Sequence, residues 1–128
     1  MIYQSKDWLM RQIEIMGRTL AKMLFNKDST DYVIIDYLLH RDSDLIYGEL
    51  LKLIGAGKLN EAENLLFEKI NEEIEANPDK NDYLEVAIDF YSRLNNMSDK
   101  ALEECDFDRS EIEDGLREVS EIYNVYLI

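Results

Sequence analysis

The sequence predicts an all-α fold, a compact array of helical hairpins with about five to seven helices. The chain of 128 residues contains one Pro and five Gly, and 33% of its residues are charged. Few helix breakers combined with many charged and apolar side chains are typical of helical proteins. No stretch shows the strict apolar–polar alternation of a half-buried strand.

Length and composition fit a single helical domain over residues 1–128. Folding at this size buries roughly two thirds of the surface that the unfolded chain exposes, so a core forms without disulfides or a structural metal. Within the domain we distinguish a basic N-terminal helix at 1–27, a central helical hairpin at 44–78 and C-terminal helices at 79–128.

The first helix is predicted from about Gln4 to Phe25 and carries an apolar stripe, which Trp8, Leu24 and Phe25 widen. The stripe consists of Leu9, Ile13, Met16, Leu20 and Met23, which follow one another at spacings of four and three residues. Such spacings are typical of a helix that packs along another helix. We expect the first four of these residues to be buried, either in the core of one chain or in a homodimer formed through this helix. A membrane-surface helix also combines basic residues with an apolar face, but the acidic remainder of the chain would be repelled by anionic lipid.

Charge is distributed unevenly along the chain, whose net charge is −14. Residues 1–27 contain five basic and two acidic residues, whereas residues 28–128 contain nine basic and 26 acidic residues. The acidic body would repel phosphates, so the sequence argues against a nucleic-acid partner. We expect the basic residues of the first helix to dock against this acidic body.

The segment Asp31–His40 is apolar on almost every side and is predicted to be a short helix or an irregular packed segment. Tyr32 and Tyr37 are expected at its margins with their hydroxyls in water. Asp42 or Ser43 is then predicted to cap the next helix.

Residues 44–78 are the clearest architectural signal, because they contain two helices and the turn between them. The first helix is predicted from Leu45 to Ala56, where the neighbouring glycines favour a turn. The second is predicted to begin at an Asn60 cap and to stop at Pro78. We expect the rest of the chain to pack around this hairpin.

The run GKLNEAENLLFEKI, residues 57–70, resembles the turn and second helix of a tetratricopeptide-type repeat. Ala62 is a small residue where paired helices approach, and Leu66, four residues later, is a large residue that fills the gap between them. The match is partial, because the Leu-Gly signature expected in the first helix is replaced and no second copy occurs at a period of about 34. The resemblance therefore implies one repeat-like hairpin and no array.

Three further helices are predicted after the hairpin, each with a recognisable start. Ser98 can cap the short second one, and Asp108 with Glu111 has the spacing of a capping box before the last one. The apolar C-terminal tail is expected to pack against the fold. The predicted ranges are Tyr83–Asn95, Asp99–Cys105 and Ser110–Tyr123.

Three stretches carry a wider resemblance: DWLMRQIEIMGRTLAKMLF at 7–25, GKLNEAENLLFEKI at 57–70 and YLEVAIDFYSRLNNMSDKALEECDFDRSEIEDGL at 83–116. Together they resemble a family of small uncharacterised proteins of Gram-positive bacteria. The resemblance implies a compact helical protein, and it implies no activity and no catalytic residue.

The sequence contains no pattern of catalytic, cofactor-binding or metal-binding residues. His40 is the only imidazole, and Cys105 lies among Glu103, Glu104 and Asp106, whose charges disfavour a thiolate. Neither the EF-hand loop nor the paired Glu-x-x-His of di-iron bundles is present. We therefore predict that the protein is not an enzyme and uses no cofactor or metal.

The predicted function is a non-enzymatic protein–protein interaction module that offers a groove or an apolar seam to a partner of unknown identity. The candidate surface combines the N-terminal stripe with Tyr and Arg anchors: Leu9, Ile13, Met16, Leu20, Arg18, Tyr32, Tyr37 and Tyr47. The alternative is a small helical enzyme or ligand-binding bundle that uses buried carboxylates. A pocket holding a carboxylate of raised pKa would favour that alternative, and an exposed apolar groove would favour the interaction module.

A cytoplasmic location is predicted. Cys105 is the only cysteine, which excludes an internal disulfide. The first residues interleave charged and apolar side chains, unlike a signal peptide. No apolar run is long enough to cross a bilayer, so stable membrane insertion is not expected.

Overall fold

The computed structural model describes residues 6–34 and 41–125, and within these ranges the chain forms helices and no strand. This confirms the predicted all-α fold. The helices of the described residues are α1 (Lys6–Phe25), α2 (Asp42–Gly55), α3 (Leu59–Ala76), α4 (Asp82–Asn95), α5 (Asp99–Glu104) and α6 (Arg109–Ile122).

Several predicted helix ends are confirmed together with their local cause. The turn after α2 contains Gly57 at a φ of 75°, the left-handed conformation that glycine adopts with little strain. At the start of α5 the hydroxyl of Ser98 accepts a hydrogen bond from the backbone N–H of Ala101. At the start of α6 Asp108 and Glu111 form the predicted capping box.

Other predicted caps are wrong, because the residues concerned lie inside helices. Asp42 and Ser43 belong to α2, whose first turn is closed by Asp44: its carboxylate accepts a hydrogen bond from the backbone N–H of Arg41 at 2.9 Å. Asn60 belongs to α3. Its side chain instead donates to the carbonyl of Asp106 at 3.2 Å, across the molecule.

The centre of the fold is α4, which contacts each of the other four long helices, α1, α2, α3 and α6. Ten of its 14 residues are buried, so the helix is covered on nearly every side. The expectation that the hairpin at 44–78 occupies the centre was therefore wrong. The reason is that α4 buries side chains on nearly every side, Val86 and Phe90 among them.

The apolar stripe of α1 lies in the core of a single chain. Ile13, Met16 and Leu20 are buried where α1 packs on α4 and α6, and Leu9 is partly buried beside them. Met23, at the end of the same spacing pattern, is instead 62% exposed. A strict seven-residue pattern drifts by about 20° per heptad around a straight helix, which carries Met23 away from the core.

Helices α2 and α3 form the predicted hairpin and pack together on α4. Ala62 and Leu66 are both fully buried. Residues 31–34 are irregular, and the remainder of the predicted segment Asp31–His40 lies outside the described residues. Near the C-terminus Val125 packs against the core.

Candidate functional site

A buried polar network joins the segment after α1 to α2 and α4. At its centre Asp89, only 1% exposed, accepts hydrogen bonds from the backbone N–H of Tyr32 at 2.7 Å and the hydroxyl of Tyr47 at 3.0 Å. Arg93 donates to the same carboxylate at 2.6 Å from one turn further along α4. We define the polar network as Tyr32, Arg41, Asp44, Tyr47, Asp89 and Arg93.

The second half of the polar network surrounds the hydroxyl of Tyr32. This hydroxyl donates to the carboxylate of Asp44, lies 2.7 Å from the hydroxyl of Ser43 and accepts from Arg41 at 2.8 Å. Tyr32 is 4% exposed, so the prediction of a hydroxyl in water was wrong. Burial raises the pKa of Tyr32, and the hydrogen bond to Asp44 raises it further, so the hydroxyl stays a protonated donor.

Asp44 stays ionised in this environment. Burial alone would raise its pKa, but the hydrogen bonds from Tyr32 and from the backbone of Arg41, with the Arg41 charge, hold the pKa below its usual value. Every buried side-chain nitrogen and oxygen in residues 6–34 and 41–125 has a hydrogen-bond partner. A polar network this fully satisfied fixes the positions of three elements, and the groups in it are already engaged with one another.

A buried cation, Arg109, fixes the connection between α4 and α6. Arg109 is 4% exposed and donates to the carbonyl of Met97 at 2.7 Å and to the carboxylate of Asp99 at 2.9 Å. It also donates to the side-chain oxygen of Asn95 at 3.0 Å. The open cavity beside it, about 750 Å³, therefore has a guanidinium in its lining whose hydrogen bonds are already used.

A smaller open pocket of about 310 Å³ lies between α3 and α6, and we call it the acidic pocket. Its lining, within the described part of the chain, holds four carboxylates and no cation, from Glu63, Glu111, Asp114 and Glu118. Glu63 accepts a hydrogen bond of 2.6 Å from the hydroxyl of Tyr91 on α4. Burial raises the pKa of Glu63, the Tyr91 hydrogen bond opposes the shift, and the charges of Glu111 and Glu118 add to it.

A different kind of site lies on the surface of α1. Trp8, Ile15 and Met23 are 45%, 52% and 62% exposed, although large apolar side chains are usually buried. Their spacings of seven and eight residues are about two helical turns each, so they share one side of the helix. Arg11 and Arg18 follow Trp8 and Ile15 by three residues each and are therefore their neighbours on the helix surface.

We name this surface the α1 face and define it by its apolar row and its basic border. The border side chains point into solvent: Arg18 pairs with Glu14 of its own helix at 3.1 Å, and Lys22 pairs with Asp28 at 3.4 Å. Exposed ion pairs of this kind contribute little and exchange readily. The α1 face consists of Trp8, Ile15, Met23, Arg11, Arg18 and Lys22.

The residues predicted as an interaction surface lie in different parts of the fold, as far as the structure describes them. Ile13, Met16 and Leu20 contact the chain's own helices in the core. Tyr32 and Tyr47 are buried in the polar network, where their ring centres are 4.9 Å apart. Leu9 is partly buried, Arg18 is exposed on the α1 face, and Tyr37 lies outside the described residues. Binding of a partner through any of them stays a prediction.

Cys105 is a free, partly buried cysteine, and His40 lies outside the described residues. In the ranges 6–34 and 41–125 no three His, Cys, Asp or Glu side chains are grouped so that they could hold a metal ion. No helix in those ranges is long and apolar enough to cross a membrane.

Residues 3–124 match the sequence profile of DUF6483, described as a family of unknown function. No curated protein and no solved structure matches the chain.

Proposed function

The chain belongs to the DUF6483 family of unknown function, and we propose that it is a non-enzymatic interaction module. Its α1 face would bind an acidic amphipathic helix of a partner protein. The observation that carries this proposal is the exposure of three large apolar side chains in one row of α1, beside a border of basic residues. An amphipathic helix laid on such a row is a common mode of recognition.

The apolar row of the α1 face is separate from the residues that hold the helix in the fold. Ile13 is 1% exposed, whereas Ile15, two residues later, is 52% exposed. Packing of α1 on α4 and α6 requires an apolar side chain at Ile13 but not at Ile15. This division supports a second role for α1, because exposed apolar rows mark binding surfaces.

Charge selects the partner. Residues 1–27 carry five basic and two acidic residues, and the rest of the chain is strongly acidic. Within the described residues Lys27 reaches the central helix, pairing with Glu85 at 3.2 Å, while Arg18 and Lys22 pair with exposed local carboxylates. A partner helix with acidic residues beside its apolar row would therefore be attracted to the α1 face.

The absence of an enzymatic activity is part of the proposal. The polar network engages its carboxylates and tyrosines with one another. The alternative function, a ligand-binding bundle that uses buried carboxylates, is supported by Glu63, whose pKa is raised in a pocket. That carboxylate already accepts the Tyr91 hydrogen bond, and the described residues of the lining offer no cation for an anionic substrate. The α1 face therefore has the stronger support.

The proposal also covers the structural type of the central hairpin, the origin of the protein and its location in the cell. We propose that the α2–α3 hairpin is tetratricopeptide-like, which the complete burial of Ala62 and Leu66 supports. We also propose an origin among small proteins of Gram-positive bacteria and a cytoplasmic location. Both rest on the sequence resemblance and on the composition of the chain.

Affinity capture with matched variants tests the proposed function. Immobilised wild-type protein, Met23→Glu and Leu45→Glu would be exposed to an extract of the native cell, and bound proteins identified by mass spectrometry. Leu45 is a suitable control because it is 60% exposed on α2, away from the α1 face. We expect a protein that the wild type and Leu45→Glu retain, that Met23→Glu loses, and whose contact segment is an acidic amphipathic helix.

Three outcomes would overturn the proposal. One is capture that does not differ between Met23→Glu and Leu45→Glu, since the α1 face would then have no role. Another is a wild-type dimer in light scattering that Met23→Glu converts to a folded monomer, since a second copy would then occupy the face. The third is binding to anionic vesicles that depends on Met23, which would make the occupant a membrane surface.

A further inference from the structure

Tyr91 reaches Glu63 through a gap that only a glycine leaves open. The ring of Tyr91 starts from α4, is fully buried, and passes directly against Gly115 of α6. A Cβ atom at position 115 would overlap the Tyr91 hydroxyl and ring. With the gap open, the hydroxyl donates to the Glu63 carboxylate on α3 at 2.6 Å, so this hydrogen bond connects α4 to α3 directly against the backbone of α6.

Among the residues that the structure describes, the lining around Glu63 contains acids from two helices and no balancing cation. Glu63 itself lies on α3, and α6 presents Glu111, Asp114 and Glu118 to the same pocket. From α4 the facing titratable group is Tyr91, whose pKa burial raises, so it stays a neutral donor. Like charges so arranged repel one another across the α3–α6 gap.

We propose that Glu63 is a proton-operated latch that holds α3 more tightly to α6 when it takes up a proton. The proton comes from solvent and binds the carboxylate oxygen that Tyr91 does not contact, so the Tyr91 hydrogen bond is kept. Uptake removes one of the four negative charges in the acidic pocket. Release of the proton restores the repulsion and loosens the second helix of the hairpin from α6. The latch is independent of the α1 face.

The direction of the pH effect follows from the raised pKa of Glu63. The folded state binds the proton more tightly than the unfolded state, so in the interval between the two pKa values the free energy of unfolding decreases as pH rises. The interval begins at the ordinary glutamate pKa of 4.5 and extends upward. Above it, the ionised Glu63 makes the folded state less stable than it would be with a neutral group.

Thermal unfolding of three proteins as a function of pH tests the latch. Glu63→Gln keeps a carbonyl that accepts the Tyr91 hydrogen bond but carries no charge. We expect it to raise the unfolding temperature by a few degrees at neutral pH and to lose that advantage in acid, where the wild type is protonated. Glu68→Gln is the matched control, since Glu68 is an exposed residue of the same helix, and it should show no such pH-dependent difference.

A titration followed by NMR separates the latch from a general loss of charge. The backbone amide of Gly115 should shift with pH in the wild type at a midpoint above the ordinary glutamate pKa, and this transition should be absent in Glu63→Gln. Tyr91→Phe removes the hydrogen bond that opposes the raised pKa, so its midpoint should lie at higher pH. Parallel unfolding curves for the wild type and Glu63→Gln would overturn the proposal, as would a Gly115 transition that persists in Glu63→Gln.

Discussion

Asp89 accepts hydrogen bonds from three parts of the fold: the segment that follows α1, helix α2, and its own helix α4. We predict that Asp89→Ala lowers the free energy of unfolding by about 2–3 kcal/mol, because buried donors lose a charged acceptor. Urea denaturation measures the change. Glu68→Ala, which removes an exposed carboxylate of α3, should change the stability by less than about 0.5 kcal/mol. Equal effects of the two substitutions would contradict the role given to Asp89.

The sequence around Asp89 predicts that the residue is buried, but it does not predict which groups it contacts. The residue stands between Ile88 and Phe90 in a helix with apolar residues on nearly every side, which predicts that a charged side chain there is buried. Its partners could not be predicted, because Tyr32 and Tyr47 are 57 and 42 residues away. Contacts at that separation depend on how the helices pack, and no local spacing encodes them.

The two sides of α1 give a matched test at the scale of an element. We predict that Ile13→Ala lowers the free energy of unfolding by about 2–5 kcal/mol, because it opens a cavity in the core. Ile15→Ala makes the same chemical change on the exposed side and should cost less than about 0.5 kcal/mol. Denaturation midpoints of the two variants decide the matter. A large loss at Ile15, or a small one at Ile13, would contradict the assignment of the two sides.

Helix positions were largely predictable because their signals are local. The Ser98 cap, the capping box at Asp108 and the glycine turn after α2 depend only on neighbouring residues. The apolar row of the α1 face was missed for a physical reason. Trp8 and Met23 were assigned to the stripe that faces the core, since periodicity gives the angular spread of apolar residues but not where the neighbouring helices lie.

At the scale of the whole molecule, α4 is the central helix of the fold, and α1 carries more basic than acidic residues in an otherwise acidic chain. The fold class was predictable from composition and periodicity, whereas the central place of α4 depends on contacts with four other helices. The uneven charge is a property of the sequence that the fold preserves. Lys27 is paired across the fold with Glu85, and the basic border of the α1 face is left toward solvent.

Trp8 makes the central claim measurable, because it is the only tryptophan of the chain and lies on the α1 face. The probe is a synthetic tryptophan-free helical peptide with leucines along one face and glutamates beside them. A second peptide with lysines in place of the glutamates, and Leu45→Glu in place of the wild type, serve as controls.

The most direct measurement is Trp8 fluorescence during titration with these peptides. We predict that the acidic peptide shifts the Trp8 emission to the blue and that added salt decreases this shift. The shift should be unchanged in Leu45→Glu. In Met23→Glu it should require at least about tenfold more peptide, which corresponds to about 1.4 kcal/mol of binding free energy. The lysine peptide should give no shift. An emission spectrum that stays constant with the acidic peptide, or shifts equally with both peptides, would contradict the account.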